Sequence, residues 1–296
     1  MVRVRVPAKV NLHLAVGQRR PDGYHDLVTV FHAVDLVDEV VVTTADRLAL
    51  TVTGEGAADL AVDESNLAWQ AAVVLAEAAG IDPAVRIELH KAIPVAGGMA
   101  GGSADAAGAL LACATLWGLA DVDLPVLAAR LGSDTVFPLL GATALGRARG
   151  EVLAAIPPHD PLHWVLAFAD AGISAGDAYR ELDRQREAGT AAAPLGPPDA
   201  LLAALAEGNP AAVAAALGND LQPAALALRP SLRATLDAGT RHGALAGLVS
   251  GSGPTCAFLC PDDGAAHVLS AALEADRVCR SARVASGPAP GAQVIS

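Results

Sequence analysis

The hydrophobic positions of the chain change period several times, and each change marks a change of element. Over the first 55 residues the period is two. "VRVRV" and "VNLHLAVG" alternate apolar and polar, "DLVTVFHAV" and "DEVVVTT" are valine-rich, and "RLALTVTG" alternates again up to Gly54, which predicts a run of strands. The spacing then lengthens to that of a helix in "LAWQAAVVLAEAAG", with Asn66 as N-cap and Gly80 as the stop. "AVRIELH" reads as a further strand. A helix from about Ser103 to Leu116 follows, then a short one, "DLPVLAARLG", ending at Gly132. In the second half, "HWVLAFA" is a strand and helices are expected around 200–217, 223–239 and 263–275. Strands are expected in "ALAGLVSGSG", "TCAFLC" and "RVCRSARVA". Residues 187–200, "EAGTAAAPLGPPDA", read as an Ala/Pro-rich surface loop. No internal repeat is visible. Strands and helices are interleaved in both halves, so the fold class is α+β, in two lobes spanning residues 1–155 and 156–296.

One stretch fits neither period. In "KAIPVAGGMAGGSADAAGALLA", residues 91–112, Gly97, Gly98, Gly101 and Gly102 stand between a proline and an alanine-rich helix. A backbone without side chains approaches an oxygen-rich ligand closely and turns its N–H groups inward. At a helix start those groups join the helix's own unpaired donors and the positive end of its dipole, which makes an anion cradle. Ser103 is placed to cap the helix, or to offer its hydroxyl to a phosphate or its metal. Two familiar fingerprints fail. A Walker loop needs lysine after its last glycine, where this chain has Ser103, and Met99 and Ala100 break the glycine spacing of a dinucleotide loop. By itself, then, the loop is either a phosphate cradle or a flexible turn before a buried helix.

Composition narrows the partners. The net charge of −12 repels polyanions over most of the surface, which argues against nucleic acid and against anionic membranes. An anionic small-molecule substrate remains admissible if backbone amides and a few cations form a local site. Hydrophobic residues make up 53 % of the chain, yet no apolar run reaches the roughly 18 residues of a membrane span. The N-terminus alternates like a strand instead of resembling a signal peptide, so a cytoplasmic protein is expected. The four cysteines form no CxxC pair and read as reduced thiols. Only two lysines occur, Lys9 and Lys91, among twenty basic residues. Each is therefore conspicuous.

Four other segments bear on the loop. "VPAKVNLHL" puts Lys9 and Asn11 on one face of the first strand and Val10 and Leu12 on the other. "RRPDGYHDL" is a tight Pro-Asp-Gly turn that delivers Tyr24 and His25. "RLGSDTVFPLLG" places Asp134 just past a helix end, and "GLVSGSGPTCAFL" is a second Gly/Ser-rich turn between apolar strands. Taken singly, each has a plain structural reading as a strand lysine, a hairpin, a cap or a turn.

Together and in this order, along the whole chain, these segments resemble the GHMP kinases, the superfamily of galactokinase, homoserine kinase, mevalonate kinase and phosphomevalonate kinase. The resemblance implies an N-terminal lobe carrying the phosphate loop, a C-terminal ferredoxin-like lobe, and an active site in the cleft between them. It implies ATP and Mg²⁺ as cofactors. The loop residues Pro94, Val95, Ala96, Gly97, Gly98, Met99, Ala100, Gly101, Gly102, Ser103 and Ala104 would wrap the ATP phosphates, with Ser103 the candidate for the metal. Lys9 and Asp134 would be the catalytic pair, Lys9 keeping Asp134 ionised, and a side chain at Gly101 would block the backbone's approach. "PAKVNLHL" followed by "DGYH" is similar to the members that phosphorylate a cytidine diphosphate-linked methylerythritol. Asn11, Tyr24, His25 and Tyr179 would then hold that substrate. The only two tyrosines, Tyr24 and Tyr179, both fall at the implied nucleoside pocket. A homoserine- or phosphomevalonate-type kinase and a non-catalytic nucleotide-binding protein are the alternatives. The first would not need the tyrosine pair, and the second would not need Lys9 together with Asp134. The chain departs from the family pattern in three places. Thr135 and Val136 follow Asp134 where Val-Pro is usual, Ala96 and Ala100 stand where many members have glycine, and Ala104 replaces a second serine.

Overall fold

The computed structural model describes residues 1–295. Two long strands replace the several short ones expected at the N-terminus: β1 (Val2–Arg19) and β2 (His25–Thr44) pair antiparallel along most of their length. Their turn closes through Arg20 N–H to the Tyr24 carbonyl at 2.7 Å and Gly23 N–H to the Arg20 carbonyl at 3.0 Å. Register shifts at Pro7/Ala8, Asn11/His13 and Val16/Arg19 let the hairpin bend without ending. β3 (Ala49–Gly54) runs parallel to β4 (Val85–Lys91), which pairs with β2, and the crossover is α1 (Leu67–Ala79). As expected, Asn66 caps α1 by accepting from Ala68 N–H, and Gly80 ends it in a left-handed turn.

Three helices follow: α2 (Gly101–Trp117), α3 (Leu124–Leu131) and α4 (Val136–Leu140). Val4, Val6, Ala8, Val10 and Leu12 of β1 are wholly buried in one core with Ala104, Ala107 and Leu110 of α2. That packing fixes α2 along β1 and β2. β5 (Thr143–Arg147) and β6 (Val152–Ala155) extend the sheet beside β2.

β7 (Leu162–Phe168) opens a second sheet. α5 (Ala175–Glu187), α6 (Asp199–Ala206), α7 (Pro210–Ala216), β8 (Gly218–Asn219), α8 (Gln222–Leu228) and α9 (Leu232–Arg241) precede its next strand, β9 (Ala246–Val249). β10 (Cys256–Cys260), α10 (Asp263–Ala275) and β11 (Ser281–Gly287) complete it, in the all-antiparallel order β11-β7-β10-β9. By order of appearance that is 4-1-3-2, with a helix in each crossover, which is ferredoxin-like topology. All four cysteines are free.

Two of the expected boundaries shift at prolines and a third at a left-handed turn. The helix expected over 200–217 is two, because Asn209 caps a new helix whose first residue is Pro210. The one expected over 223–239 breaks at Arg229–Pro230, since the residue before proline avoids the helical region. The last strand begins only at Ser281, after Arg277 turns the chain at φ 54°. The second half also returns to the first. β8 lies parallel to β1, β12 (Gln293–Ile295) pairs with β1 antiparallel, and Asp35 of β2 accepts from Ser286 N–H and Oγ at 2.7 Å each. One core cluster runs from Val4 to Trp164 and Leu259, through both sheets.

Candidate active site

Between Pro7 and Val16 both faces of β1 are largely buried, and the face opposite α2 carries Lys9 and Asn11; the register shift after Asn11 then brings Leu14, not His13, to the same side. Polar groups in such a place need partners. Lys9 and Asn11 have them, whereas the His13 ring keeps its Nε2 buried without one. Asn11 Nδ2 donates to Thr29 Oγ1 at 2.8 Å, and the Thr29 hydroxyl donates to the His13 carbonyl at 2.8 Å. This chain fixes the Asn11 amide so that its Oδ1 accepts from Lys9 Nζ at 2.6 Å, and the ammonium also donates to the Gly98 carbonyl at 2.8 Å. Burial lowers the Lys9 pKa from the usual lysine value, and the negative charge of Asp134 works against that shift. Asp134 makes no ion pair with Lys9 within 4.0 Å. It acts on Lys9 across the hollow that both side chains line, and its charge also reaches Tyr179.

Asp134 sits in a single 3-10 turn, Ser133–Thr135, between α3 and α4. Pro138 lies inside the first turn of α4, where backbone N–H groups have no helical partner, so its missing donor costs the short helix little. The shift of proline from its usual position therefore leaves the turn intact.

The glycine loop runs from the end of β4 to α2. Helix α2 starts at Gly101 with Ala100 before it at φ 59°, so Ser103 is not its N-cap and stands in the first turn. Gly98 adopts φ 74°, and a Cβ there would run into the Ser250 carbonyl, so no side chain is tolerated. That position is clamped from the second Gly/Ser-rich turn: Ser250 Oγ donates to the Gly98 carbonyl at 3.1 Å, and Thr255 N–H to the Gly97 carbonyl at 3.3 Å. Pro94, Ala96, Gly97, Gly98, Ala100, Gly101, Gly102 and Ser103 line the hollow. Val95 does not line it, and Met99 and Ala104 belong to the core. A Cβ on Gly101 would point at Ile93 and the Lys91 ammonium, not at the hollow. On Gly102, by contrast, it would meet only Leu67 at 3.7 Å, and Gly102 is exposed.

The hollow has a volume of about 710 Å³ and extends from the loop to the Tyr24 turn. There the His25 ring stacks on Tyr179 with centroids 5.1 Å apart, and His25 Nε2 meets Asp183 Oδ1 at 2.9 Å. Burial, with Asp134 second, raises the Tyr179 pKa, so its phenol stays neutral. Tyr24 is 55 % exposed at the rim, with the Arg149 guanidinium over its ring at 5.1 Å. Sequence reasoning missed Asp183 and Arg149. The four-residue spacing of Tyr179 and Asp183 along α5 was a usable signal. Arg149, in the β5–β6 connection, offered none.

Comparison with known proteins shows the family. The family model for the GHMP kinases N terminal domain matches residues 66–142, and that for GHMP kinases C terminal matches residues 201–277. A 4-diphosphocytidyl-2-C-methyl-D-erythritol kinase of Mycolicibacterium smegmatis is 59 % identical over 99 % of this chain and 92 % of its own. One of Salinispora arenicola is 57 % identical over 99 % and 94 %. A crystal structure of 4-(cytidine 5'-diphospho)-2C-methyl-D-erythritol kinase superposes with a TM-score of 0.79 at 35 % identity, over 96 % of this chain and 98 % of that one. A homoserine kinase of Cytophaga hutchinsonii, 21 % identical with a TM-score of 0.76 over 99 % and 97 %, shares the fold. The chain belongs to the GHMP kinases. It is an ATP-dependent small-molecule kinase with the two-lobed α+β fold of that family. Among the described residues no helix is long and apolar enough to cross a membrane.

Proposed function

We propose that the protein transfers the γ-phosphoryl group of ATP to the 2-hydroxyl of 4-diphosphocytidyl-2-C-methyl-D-erythritol. The observation that carries this acceptor is the His25–Tyr179 stack, tied to Asp183, at the far end of the hollow that Lys9 and Asp134 line. Flat rings with a fixed polar edge suit a nucleobase, and base stacking is worth about 1–3 kcal/mol. The full-length relatives that carry this activity in their names support the same choice.

Phosphoryl transfer asks a protein mainly for in-line positioning and for neutralisation of charge on the transferring oxygens. In this reading the amides of residues 97–103 and the N-terminal end of α2 receive the phosphates. Two of the three Lys9 hydrogens are engaged by Asn11 and Gly98, which leaves one for the γ-phosphate. Asp134 accepts the proton of the attacking hydroxyl. Tyr179 and Tyr24 hold the cytosine, and His25, its ring oriented by Asp183, addresses the base edge. The residue that would contribute to a magnesium ion is Ser103. Among the described residues no cluster of three or more His, Cys, Asp or Glu could cage a metal, which fits an ion held mostly by phosphate oxygens and water. When bound, such an ion supplies further charge neutralisation. A cytoplasmic site of action, without nucleic-acid or membrane partners, accords with the acidic surface.

A coupled ADP-release assay tests the acceptor. Turnover is expected with the cytidylylated methylerythritol and to be at least about 100-fold lower with its uridine analogue, the scale set by buried hydrogen-bond mismatches. Equal turnover on both, or faster turnover on homoserine, would overturn the assignment.

A further inference from the structure

The second lysine takes no part in the chemistry above, yet it is as deeply buried as the first. Lys91, the last residue of β4, donates from Nζ to Asp38 of β2, to Asp105 Oδ2 of α2 at 2.6 Å and to the Gly101 carbonyl at 3.4 Å. Side-chain exposures are 2 % for Lys91, 0 % for Asp38 and 4 % for Asp105, so solvent does not screen the cluster. The second oxygen of Asp38, Oδ1, accepts from Ala92 N–H at 2.6 Å and Ile93 N–H at 2.9 Å. None of the three side chains lines the hollow.

These bonds connect both ends of the glycine loop. Asp38 grips the incoming end, residues 92 and 93. Lys91 reaches across to the outgoing end, Gly101 and Asp105 at the start of α2. We propose that Asp38, Lys91 and Asp105 form a clasp that holds the two ends of the loop together and so sets the spacing of the amides that receive the ATP phosphates. The three are positioning residues, and the proposal rests on the reading of this loop as the phosphate cradle. Two carboxylates around one ammonium are more than core stability requires, since well-packed apolar groups commonly serve it as well. Burial raises the Asp105 carboxyl above the usual carboxylate range, with the Lys91 charge opposing, and its Oδ1 has no hydrogen-bond partner. Such a costly arrangement is understandable where the geometry of the loop depends on it.

Two variants separate a clasp from general core support. Asp105→Asn keeps an oxygen for the ammonium, whereas Asp105→Ala removes it and leaves Lys91 paired with Asp38. The KM for ATP is expected to rise at least about tenfold in Asp105→Ala, within the range that small misplacements cost at positioned sites. In Asp105→Asn it should stay near wild type, and the acceptor KM should change in neither. Wild-type KM for ATP in folded Asp105→Ala would overturn the clasp. So would a loss shared equally by ATP and acceptor, or one that asparagine does not rescue. If Asp105→Ala does not fold, the Lys91→Met/Asp105→Asn pair carries the same test and the same expected rise, because its remaining carboxylate is held by two backbone amides. Direct titration of the unmodified protein with ATP keeps the two readings apart. Absent binding there, or binding without protection of the loop amides 97–103, would count against the cradle itself, whereas normal binding with unaffected variants counts against the clasp alone.

Discussion

Lys9 is a charged group in a place that opposes its charge. Burial pushes its pKa down from 10.5, and only the field of Asp134 pushes it back. A lysine whose folded pKa lies below its unfolded value gives a stability term that is present above the unfolded pKa and is lost as pH falls through the folded one. Burial of Lys9 therefore works against its charged form, a cost that the proposed role in binding phosphate would account for. In the free enzyme the same shift moves the alkaline limb of kcat/KM below 10.5, the ordinary lysine value. A pH–rate profile that stayed flat to that value would take the Lys9 charge out of the rate law. A second residue, in the glycine loop, is held in a strained conformation. Ala100 holds φ 59°, a conformation that costs a non-glycine residue roughly 1–2 kcal/mol. Ala100→Gly relieves this and loses about 0.4–1 kcal/mol to greater freedom of the unfolded chain. Urea unfolding should show the variant slightly more stable, against the usual direction for Ala→Gly. A less stable variant would mean that Ala100 is not strained.

At the level of elements, the loop between β4 and α2 is built by sterics from one side and openness from the other. Gly98 is closed in by Ser250, and Gly101 faces Ile93, while Gly102 opens outward. Gly102→Val should therefore leave the folding midpoint nearly unchanged and weaken ATP binding about tenfold or more, as blocked backbone approach to an anion would. Unchanged ATP affinity in a folded Gly102→Val protein would show that the amides there do not meet the ligand. The sequence foretold Gly101 for this role, because it shows where glycines fall and not which way a missing side chain would point. Local signals were otherwise read well: Asn66 and Gly80 bound α1, and the Pro-Asp-Gly turn closes the β1–β2 hairpin. What failed was continuity. β2 carries on where valine-rich stretches looked like separate strands, and Pro210 and Pro230 cut helices that composition alone would run together. Long-range partners of charged residues were out of reach, since nothing in "LVDEV" indicates that Asp38 meets Lys91.

The whole molecule is acidic, at −12, yet the hollow gathers Lys9, Arg19, Arg149 and Arg180 against Asp134 and Asp183. In the proposed reading, anionic ligands would be met by a small local excess of positive charge and by main-chain donors, not by a broad basic surface. The two sheets bring these groups together. β1 supplies Lys9, α5 of the second half supplies Tyr179, and the turn after β9 fixes Gly98 from behind. Order along the chain made the set of motifs legible, but the meeting of the sheets did not follow from any one of them. The most direct test measures Asp134→Ala, in turnover and in ATP affinity together. Turnover should fall at least about 100-fold, the scale of lost general-base catalysis, with the ATP dissociation constant within a few-fold of wild type. Turnover near that of the unmodified enzyme would contradict the assignment of Asp134 as the base facing the acceptor alcohol.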